Sequence, residues 1–413
     1  MNGNADPRQE GEGTTRTRLD RGRGALGPAL QLIHTGRAPT RAVLTSELGV
    51  TRATAGAVAA ELEALGLIEV DAHPVAAAGS QGRPSHRLLV AEHGPVVLAA
   101  QVHVDGYRTA LVGLGGRIVA TAHSALEVEE DPAQLLSVAV EAGARLLRET
   151  GLRCVGAGLA VPFAVTEPDG VALNPLLLAW PAGAPVRDVF AECLRAAGID
   201  GPVFVGNDMN LTALAEHRHA AGRGADQLLC VATGHQGVGG ALVLDGRLHT
   251  GSSGLALEVG HLTVDLGGRP CHCGSRGCLD VETDPPAFLA ALGREPGPEG
   301  SLLRQAEDLI RDGYAHDPAV REAVRSLIDR LGLGLAGLVN ILNPDRIILG
   351  GLHRALLEAD PERLHAVVAR RSLWGQSGAV PLQSCTLPFN SLVGAGELAW
   401  QPVFDDPLAV LEG

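Results

Sequence analysis

The sequence predicts an α/β protein in which an N-terminal winged helix-turn-helix precedes a larger body built from two related halves. Three observations carry this prediction. Short helical periods and a strand pair fill the first 90 residues, alternating strand and helix patterns fill the rest, and charge is divided unevenly between these parts. At 413 residues the chain is too long for one compact core, so we expect two or three domains.

The first 24 residues, 1–24, are rich in Gly, Arg, Asn and Thr and show no apolar period, which predicts a disordered tail. They contain no apolar segment of the kind found in a secretory signal. Apolar runs elsewhere are too short to span a bilayer. We therefore expect a cytoplasmic protein with no membrane partner.

Residues 25–91 predict the DNA-binding domain. Thr40 is placed to cap a second helix, and Gly49 is placed to end it, because Thr favours the N-cap and Gly the C-terminal position of a helix. Three helices with a Gly at the turn, followed by a hairpin, are the components of a winged helix-turn-helix. The expected elements are helices at 25–33, 41–48 and 52–64, strands at 67–70 and 87–90, and a flexible wing at 76–85.

From Pro95 onward strands and helices alternate, which is typical of an α/β domain. Strand-turn-strand patterns recur at 96–120 and 228–249, and this recurrence suggests two related halves. The predicted strands are 96–104, 109–113, 117–120, 155–161, 203–205, 228–232 and 240–244, and the predicted helices are 135–149, 185–197, 210–221, 319–340 and 361–371.

A net charge of −14 argues against nucleic-acid binding only as an average over the chain. Residues 1–90 contain ten Arg and nine acidic residues, whereas the remainder contains 23 Arg and 38 acidic residues. This asymmetry fits a small DNA-tolerant module attached to an acidic body.

Three of the seven cysteines lie close together, and a histidine precedes them. His261, Cys271, Cys273 and Cys278 offer one imidazole and three thiolates, the donor set of a closed structural zinc site. Protein groups fill all four positions, which disfavours catalytic zinc. His272 is a rival ligand, and the alternative to a metal site is a reduced cysteine cluster at the surface.

The run Glu258-x-Gly-His261, then Cys271-x-Cys273-Gly-x-x-Gly-Cys278-Leu-Asp280, resembles the signature of the ROK family of repressors, open reading frames and sugar kinases. The resemblance extends over nearly the whole chain from about residue 25. An N-terminal winged helix ahead of this body resembles the family's repressor branch, which includes xylose and N-acetylglucosamine repressors. Further matching segments are 206–210, 234–247 and 340–351.

The resemblance implies an actin-like ATPase/sugar-kinase fold with two lobes around a cleft, usually in homodimers or homotetramers. It places the first lobe at 92–206 and 386–413 and the second at 207–385. It also implies a sugar pocket, for which paired carboxylate and amide groups suit hexose hydroxyls. Asn207 and Asp208 could instead cap a helix, and Glu258 could be a solvated loop acid. The implied pocket residues are Asn207, Asp208, Glu258, His261 and Asp280.

Asp208 matches the family's catalytic base, but the first phosphate loop departs from the kinase pattern. Family kinases carry Asp-x-Gly-Gly-Thr, and this chain has Gln101, His103, Val104 and Asp105 at the four specified positions. Side chains replace the glycines that let backbone N–H groups approach phosphates, and a carboxylate replaces Thr. We therefore predict that the chain is not an enzyme and that Asp208 is a vestigial base.

Two further departures concern the sugar pocket and the second phosphate loop. Phe163 stands where relatives have Gly, and Asp280 stands where they have Glu, so the usual hexose is in doubt. In the second loop, His235 and Gln236 precede Gly237.

The third predicted helix is the expected recognition helix. Arg52 is placed to read guanine in the major groove, and Thr51 and Thr54 to contact phosphate or a thymine methyl group. Arg41 and Arg83 suit backbone or minor-groove contacts, although any of these arginines could be a solvated surface charge. A dimer reading two half-sites is the geometric expectation.

The sequence thus predicts a sugar-responsive transcriptional regulator, in particular a repressor. Its expected partners are a double-stranded DNA operator and a carbohydrate or sugar-phosphate effector. Two alternatives stay open: an active sugar kinase with an appended DNA-binding domain, and a constitutive DNA-binding protein whose cleft ignores ligands.

Overall fold

A computed structural model describes residues 24–71, 73, 85–103, 106–125, 131–173, 175, 178, 180–234, 237–295, 302–373 and 380–412. The predicted tail at 1–24, apart from its last residue, and most of the predicted wing lie outside these residues. So do Arg83, Val104, Asp105, His235 and Gln236.

The N-terminal unit, residues 24–91, contains the predicted three helices and hairpin. Thr40 Oγ1 accepts the backbone N–H of Val43, which caps the second helix, and Gly49 ends it in the left-handed conformation at φ 63°. The hairpin strands pair antiparallel, with Ile68 opposite Val90. The elements are α1 (Leu26–His34), α2 (Arg41–Leu48), α3 (Arg52–Ala64), β1 (Ile68–Val70) and β2 (Leu88–Val90).

The body contains two five-stranded sheets, described here in turn. The first has the order β5-β4-β3-β6-β7, in which the first three strands form an antiparallel meander and the last two run parallel to β3. Its strands are β3 (Val96–His103), β4 (Gly106–Gly113), β5 (Arg117–Ala125), β6 (Cys154–Val161) and β7 (Val203–Asn207), and its helices are α4 (Pro132–Thr150) and α5 (Val186–Ala196).

The second sheet repeats this plan in the order β10-β9-β8-β11-β12, again with an antiparallel meander followed by two parallel strands. This repetition confirms the two related halves inferred from the strand-turn-strand patterns. Its strands are β8 (Gln227–Thr233), β9 (Val238–Leu244), β10 (Arg247–Leu248), β11 (Arg346–Gly350) and β12 (Leu382–Ser384).

The remaining helices accompany the second sheet or return to the first. They are α6 (Asp208–His219), α7 (Leu279–Thr283), α8 (Pro285–Ala291), α9 (Leu302–Gly313), α10 (Pro318–Leu342), α11 (Leu352–Ala359), α12 (Pro361–Arg371), α13 (Asn390–Asp405) and α14 (Pro407–Glu412).

Helix α13 joins the N-terminal unit to the first sheet. A single apolar core contains residues of α1 to α3 together with residues of β3, β4 and α13. Trp400 of α13 is fully buried in it and donates from Nε1 to the Val112 carbonyl at 3.2 Å. Gly27 of α1 lies so close to α13 that an added Cβ would sit 1.8 Å from the Phe404 carbonyl oxygen. The N-terminal unit is therefore packed onto the body.

Most predicted elements agree with the structure to within a few residues. Helix α6 begins at Asp208, two residues before its predicted start, and β5 continues five residues beyond its predicted end. The sequence patterns missed α7, α8, α9, α11, α13 and α14 as helices. Among the described residues, no helix is both long enough and apolar enough to cross a membrane.

Candidate functional site

The predicted cysteine and histidine ligands come together. Cys273 Sγ lies 3.7 Å from Cys278 Sγ, and His261 Nδ1 lies 3.8 Å from Cys271 Sγ. All four donor atoms lie within 4.8 Å of one another. Thiolates at a zinc–sulfur distance of about 2.3 Å in a tetrahedron are about 3.8 Å apart, so the donor atoms are spaced as a tetrahedral zinc site requires.

Local backbone geometry explains how this arrangement forms. Gly274 adopts φ 89°, and its N–H donates to the Cys271 carbonyl at 3.0 Å, which closes a tight turn. Gly277 passes so close to Asp265 that an added Cβ would lie 1.5 Å from the Asp265 carbonyl oxygen. The two glycines therefore allow the segment to fold back on itself.

His272, the rival ligand, also stays within reach of the cluster. Its Nδ1 lies 3.9 Å from Cys271 Sγ and 3.5 Å from Asp280 Oδ2. A second overlapping group of possible ligands is accordingly His261, Cys271, His272 and Asp280. The set with three thiolates suits zinc better, because thiolate sulfur is a preferred zinc donor in structural sites.

The segments that carry four of the predicted pocket residues, Asp208, Glu258, His261 and Asp280, approach the start of β9. Val238 donates its N–H to Asp280 Oδ1 at 2.6 Å, and an added Cβ on Gly260 would lie 2.2 Å from the Val238 carbonyl oxygen. Gly239 faces Met209, the residue after Asp208, and Gly240 faces Val259, the residue after Glu258. Glycines 239 and 240 thus let both segments approach this strand.

Asn207 caps α6, as the alternative interpretation anticipated. Its Oδ1 accepts the N–H groups of Met209 at 3.0 Å and Asn210 at 3.2 Å. Its role in a pocket is therefore limited to the amide nitrogen. Asp208 begins the helix, and desolvation by the surrounding protein raises the pKa of its carboxyl group to about 6, although the Met209 N–H opposes the rise.

Asp280 is a buried acid whose carboxylate accepts a hydrogen bond from a backbone N–H group. Its Oδ1 is engaged by Val238, directly after Gly237 of the predicted second phosphate loop, so only Oδ2 is left for His272 or a ligand. Glu258 is exposed, although partial desolvation raises the pKa of its carboxyl group. Its exposure agrees with the solvated loop acid considered as an alternative, and its role in a pocket stays a prediction.

Phe163, which stands where relatives have Gly, is a buried residue. Its ring is 4% exposed and packs edge-on against Trp180, with centroids 5.7 Å apart. It belongs to the apolar core of the first sheet. An aromatic ring favours this position because it buries a large apolar area there. The effect of Phe163 on the choice of ligand stays a prediction.

Two residues of the altered first phosphate loop are described. Gln101 lies opposite Arg108 across the β3–β4 pair and opposite Ala160 on β6, and His103 lies opposite Gly106. Both side chains are partly buried.

Three of the five predicted DNA-contacting residues, Thr51, Arg52 and Thr54, lie at the start of α3. Thr51 caps α3 by accepting the Thr54 N–H at 3.1 Å, and the two hydroxyl oxygens are 2.9 Å apart. Thr51 and Arg52 are exposed, and Arg41 begins α2 beside Gly56 of α3. The capping role of Thr51 is a structural function that the sequence interpretation did not assign.

Glu282 is a site residue that sequence reasoning missed. It is 5% exposed, accepts the Arg269 N–H at 2.7 Å and pairs with Arg330 Nε at 3.2 Å. It thereby anchors the loop that carries Cys271. Its signal in the sequence was an acid two positions after Asp280.

A protein-family model described as "ROK family" matches residues 101–400. The chain belongs to the ROK family. It is 33% identical to a glucokinase of Halalkalibacterium halodurans over 208 residues, which cover 48% of this chain and 61% of that protein. It is 26% identical to a putative xylose repressor of a Caldicellulosiruptor species, with 70% of this chain and 74% of that protein covered.

Among solved structures, a ROK family transcriptional regulator described as a homologue of the Escherichia coli Mlc protein superposes with a TM-score of 0.74. The match covers 95% of this chain and all of the other, at 24% identity. The likeness shows the fold and confirms the predicted class, an N-terminal helix-turn-helix unit followed by an actin-like sugar-kinase-type body.

Proposed function

We propose that this ROK protein is a sugar-responsive, DNA-binding transcriptional repressor whose kinase-like body transfers no phosphate. The observation that carries the proposal is the fusion of a helix-turn-helix unit to the ROK body through one apolar core. A glucokinase relative matches 48% of this chain, whereas the regulator structure covers 95% of it. Phosphate transfer to a sugar does not require a DNA-binding unit, whereas transcriptional regulation does.

The proposed DNA surface is the exposed start of α3, with Arg52 as the base-reading residue and Thr51, Thr54 and Arg41 at the DNA backbone. Major-groove readers present the N-terminal residues of the recognition helix to base edges. The assignment of Arg83 to a wing contact is part of the same proposal, and so is a homodimer that reads two half-sites.

The proposed effector is a carbohydrate or a sugar phosphate. The three segments that carry Asp208, Glu258 and Asp280 approach the start of β9, and carboxylates brought there from three segments would suit several hydroxyl groups at once. The Asn207 amide nitrogen would add a donor. This cleft would bias the protein between two conformations only if the effector binds them unequally.

The proposed structural metal is zinc, held by His261, Cys271, Cys273 and Cys278. The spacing of the donor atoms supports this assignment. Bound there, the ion would cross-link the loop and keep Glu258, His261 and Asp280 in fixed relative positions. Because protein supplies four ligands, the ion would have no open position for chemistry.

The deciding experiment is a mobility-shift titration of the zinc-loaded protein on the DNA upstream of its own gene. It is run with and without glucose, xylose and N-acetylglucosamine. We expect one retarded species whose midpoint a sugar moves by about 5–150-fold. Failure to retard any such fragment would sink the regulator proposal.

An active sugar kinase is the second candidate, and a specific observation favours it. Asp208 stands at the start of α6 with a raised pKa, as a general base would, and the relative at 33% identity is a glucokinase. A coupled ADP-release assay over the same sugars separates the candidates. Turnover that Asp208→Asn abolishes would favour the kinase. If the protein retards DNA and none of the sugars changes the midpoint of the titration, a constitutive DNA-binding protein would be favoured.

A further inference from the structure

Four charged or hydrogen-bonding side chains from three helices meet in the interior, away from the cleft. Glu397 of α13 is fully buried. Its carboxylate oxygens lie 2.8 Å from His34 Nε2, 2.7 Å from His219 Nε2 and 2.6 Å from Arg218 Nη1. We call His34, Arg218, His219 and Glu397 the buried ionic cluster. His34 belongs to α1 of the N-terminal unit, and Arg218 and His219 end α6.

The tautomer of His34 follows from its neighbours. The Gly115 N–H donates to His34 Nδ1 at 2.9 Å, so Nδ1 carries no proton and Nε2 carries the one that is donated to Glu397. Gly116, next in the chain, leaves room for His219, because an added Cβ would lie 2.8 Å from the His219 ring.

The hydrogen bonds argue against a metal in this cluster, even though two histidines and a carboxylate could form a ligand set. A metal on Nε2 would move the ring proton to Nδ1, where it would face the Gly115 N–H. Arg218 would add a positive charge beside the ion. We therefore interpret the buried ionic cluster as a charge-assisted hydrogen-bond network.

The electrostatics support the same reading. Burial alone would raise the pKa of Glu397, but His34, Arg218 and His219 hold it well below its usual range, so the carboxylate stays ionised. Burial lowers the pKa of His34, which keeps its ring neutral. Removing one of the three donors would destabilise this contact between the helices, because it leaves part of the buried carboxylate charge uncompensated.

Helix α6 places the cluster and the proposed effector cleft at its two ends. Asp208 begins the helix, and Arg218 and His219 end it, so about 15–17 Å along the helix axis separates them. The helix is held tightly to α13, since an added Cβ on Gly394 would lie 2.0 Å from the Leu211 carbonyl oxygen. A shift of α6 on ligand binding would therefore act directly on Glu397 and His34.

We propose that the buried ionic cluster is the link through which α6 transmits effector binding to the DNA-binding unit. This inference rests on the proposed function. His34, Arg218 and His219 are positioning residues that touch neither effector nor DNA. An exposed bond from Arg223 Nη2 to the Thr35 carbonyl, at 2.6 Å, joins the same two regions at the surface. Surface contacts of this kind contribute less than a buried network does.

The test compares His219→Asn with His217→Asn in the full zinc-loaded chain. His217 lies on the same helix and bonds only the Ala225 carbonyl among the hydrogen bonds described, at 2.9 Å. His34→Asn is the second variant, since its amide oxygen can still accept from Gly115. Hydrogen exchange of the 26–34 amides, glucose and xylose affinity, and the sugar effect on DNA affinity are measured for each.

We expect His219→Asn and His34→Asn to speed exchange in 26–34 by about tenfold or more, because a bond to a buried charge is lost. Sugar affinity should stay at the wild-type value, and the sugar effect on DNA affinity should fall to about 1–2-fold. His217→Asn should leave all three unchanged. Exchange unchanged in both cluster variants, or a sugar effect that stays at the wild-type size, would overturn the link.

The outcomes separate this inference from the proposed function. If the wild-type chain binds no DNA, the regulator proposal fails, and the exchange comparison still decides whether α6 holds the N-terminal unit through Glu397. If the wild type responds to sugar and the cluster variants respond equally, only the link fails.

Discussion

At the scale of single residues, the candidate cleft depends on where each carboxylate finds its donors. Asp280 Oδ1 accepts the backbone N–H of Val238, and Asn207 Oδ1 accepts backbone N–H groups at the start of α6. Neither oxygen is therefore fully available to a ligand. The surrounding protein raises the pKa of the Asp208 carboxyl group to about 6, while the backbone N–H of Met209 opposes the rise. Asp208 therefore changes its protonation state at a mildly acidic pH.

This shift predicts a pH dependence of sugar binding. Because the pKa is raised, the folded protein keeps the Asp208 proton up to about pH 6, and the carboxylate that accepts a sugar hydroxyl exists mainly above it. Sugar affinity should fall about tenfold for each pH unit below 6. Titration calorimetry at several pH values measures it. Asp208→Asn should remove the part of the dependence centred near pH 6 and leave the part due to Glu258 and Asp280, whose pKa values desolvation also raises. Asp200→Asn, at an exposed position, should keep the whole dependence.

The cysteine cluster gives a second residue-scale prediction. Cys273 is exposed, so Cys273→Ser removes a ligand with little loss of packing. We expect metal content to fall from about one zinc per chain toward none, with loss of the sugar response. Elemental analysis and the mobility shift test this. Cys193→Ser, outside the cluster, is the control. A variant that loses the metal but keeps the wild-type sugar effect on DNA binding would show that the metal only stabilises a region remote from the effector site.

At the scale of elements, the sequence predicted the helices and strands whose apolar residues recur at a regular spacing. It did not predict the contacts between segments that are distant in the chain. Helix α3 was predicted at its observed bounds because it follows the turn at Gly49 and its apolar residues recur with helical spacing. The start of α6 was placed two residues late, since Asn207 was considered as one of a capping pair rather than as the cap itself. The metal ligands were visible as a local motif, whereas the link from Asp280 to Val238 joins segments 42 positions apart.

The recognition helix supplies the element-scale prediction. Arg52→Ala should weaken operator binding by about 1–3 kcal/mol and relax base preference at one position, because a bidentate contact to guanine is lost. Arg148→Ala, at an exposed position on α4, should leave operator binding unchanged. Binding to a panel of single-base operator variants measures both effects. Equal weakening on every variant would reassign Arg52 to phosphate contact.

At the scale of the whole molecule, the ROK body is two copies of one sheet plan, and the N-terminal unit is built onto the first. The duplication was visible in the sequence as recurring strand-turn-strand patterns. The shared core was not, since it joins α1 to α13 across almost the entire chain length. Likewise, nothing local marks Glu397 as the buried partner of His34.

The close approach of α1 to α13 predicts unequal effects of two glycine substitutions. Gly27→Ala should lower stability by about 1–3 kcal/mol, because its Cβ would overlap the Phe404 carbonyl oxygen. Gly337→Ala, inside α10 with no atom within 4 Å of the added Cβ, should be neutral or stabilise by about 0.5–1 kcal/mol. Thermal unfolding compares them. Equal melting temperatures would mean that the two helices can separate at little cost.

The joint core also bears on how such regulators can be rearranged. The N-terminal unit does not end where its hairpin ends, because Trp400 and Phe404, near the other end of the chain, complete its interior. A chimera that exchanged residues 24–91 alone would set a foreign α1 against an unmatched α13. The unit to exchange is therefore residues 24–91 together with α13. We expect a chimera to keep the donor's DNA specificity only when both segments are exchanged.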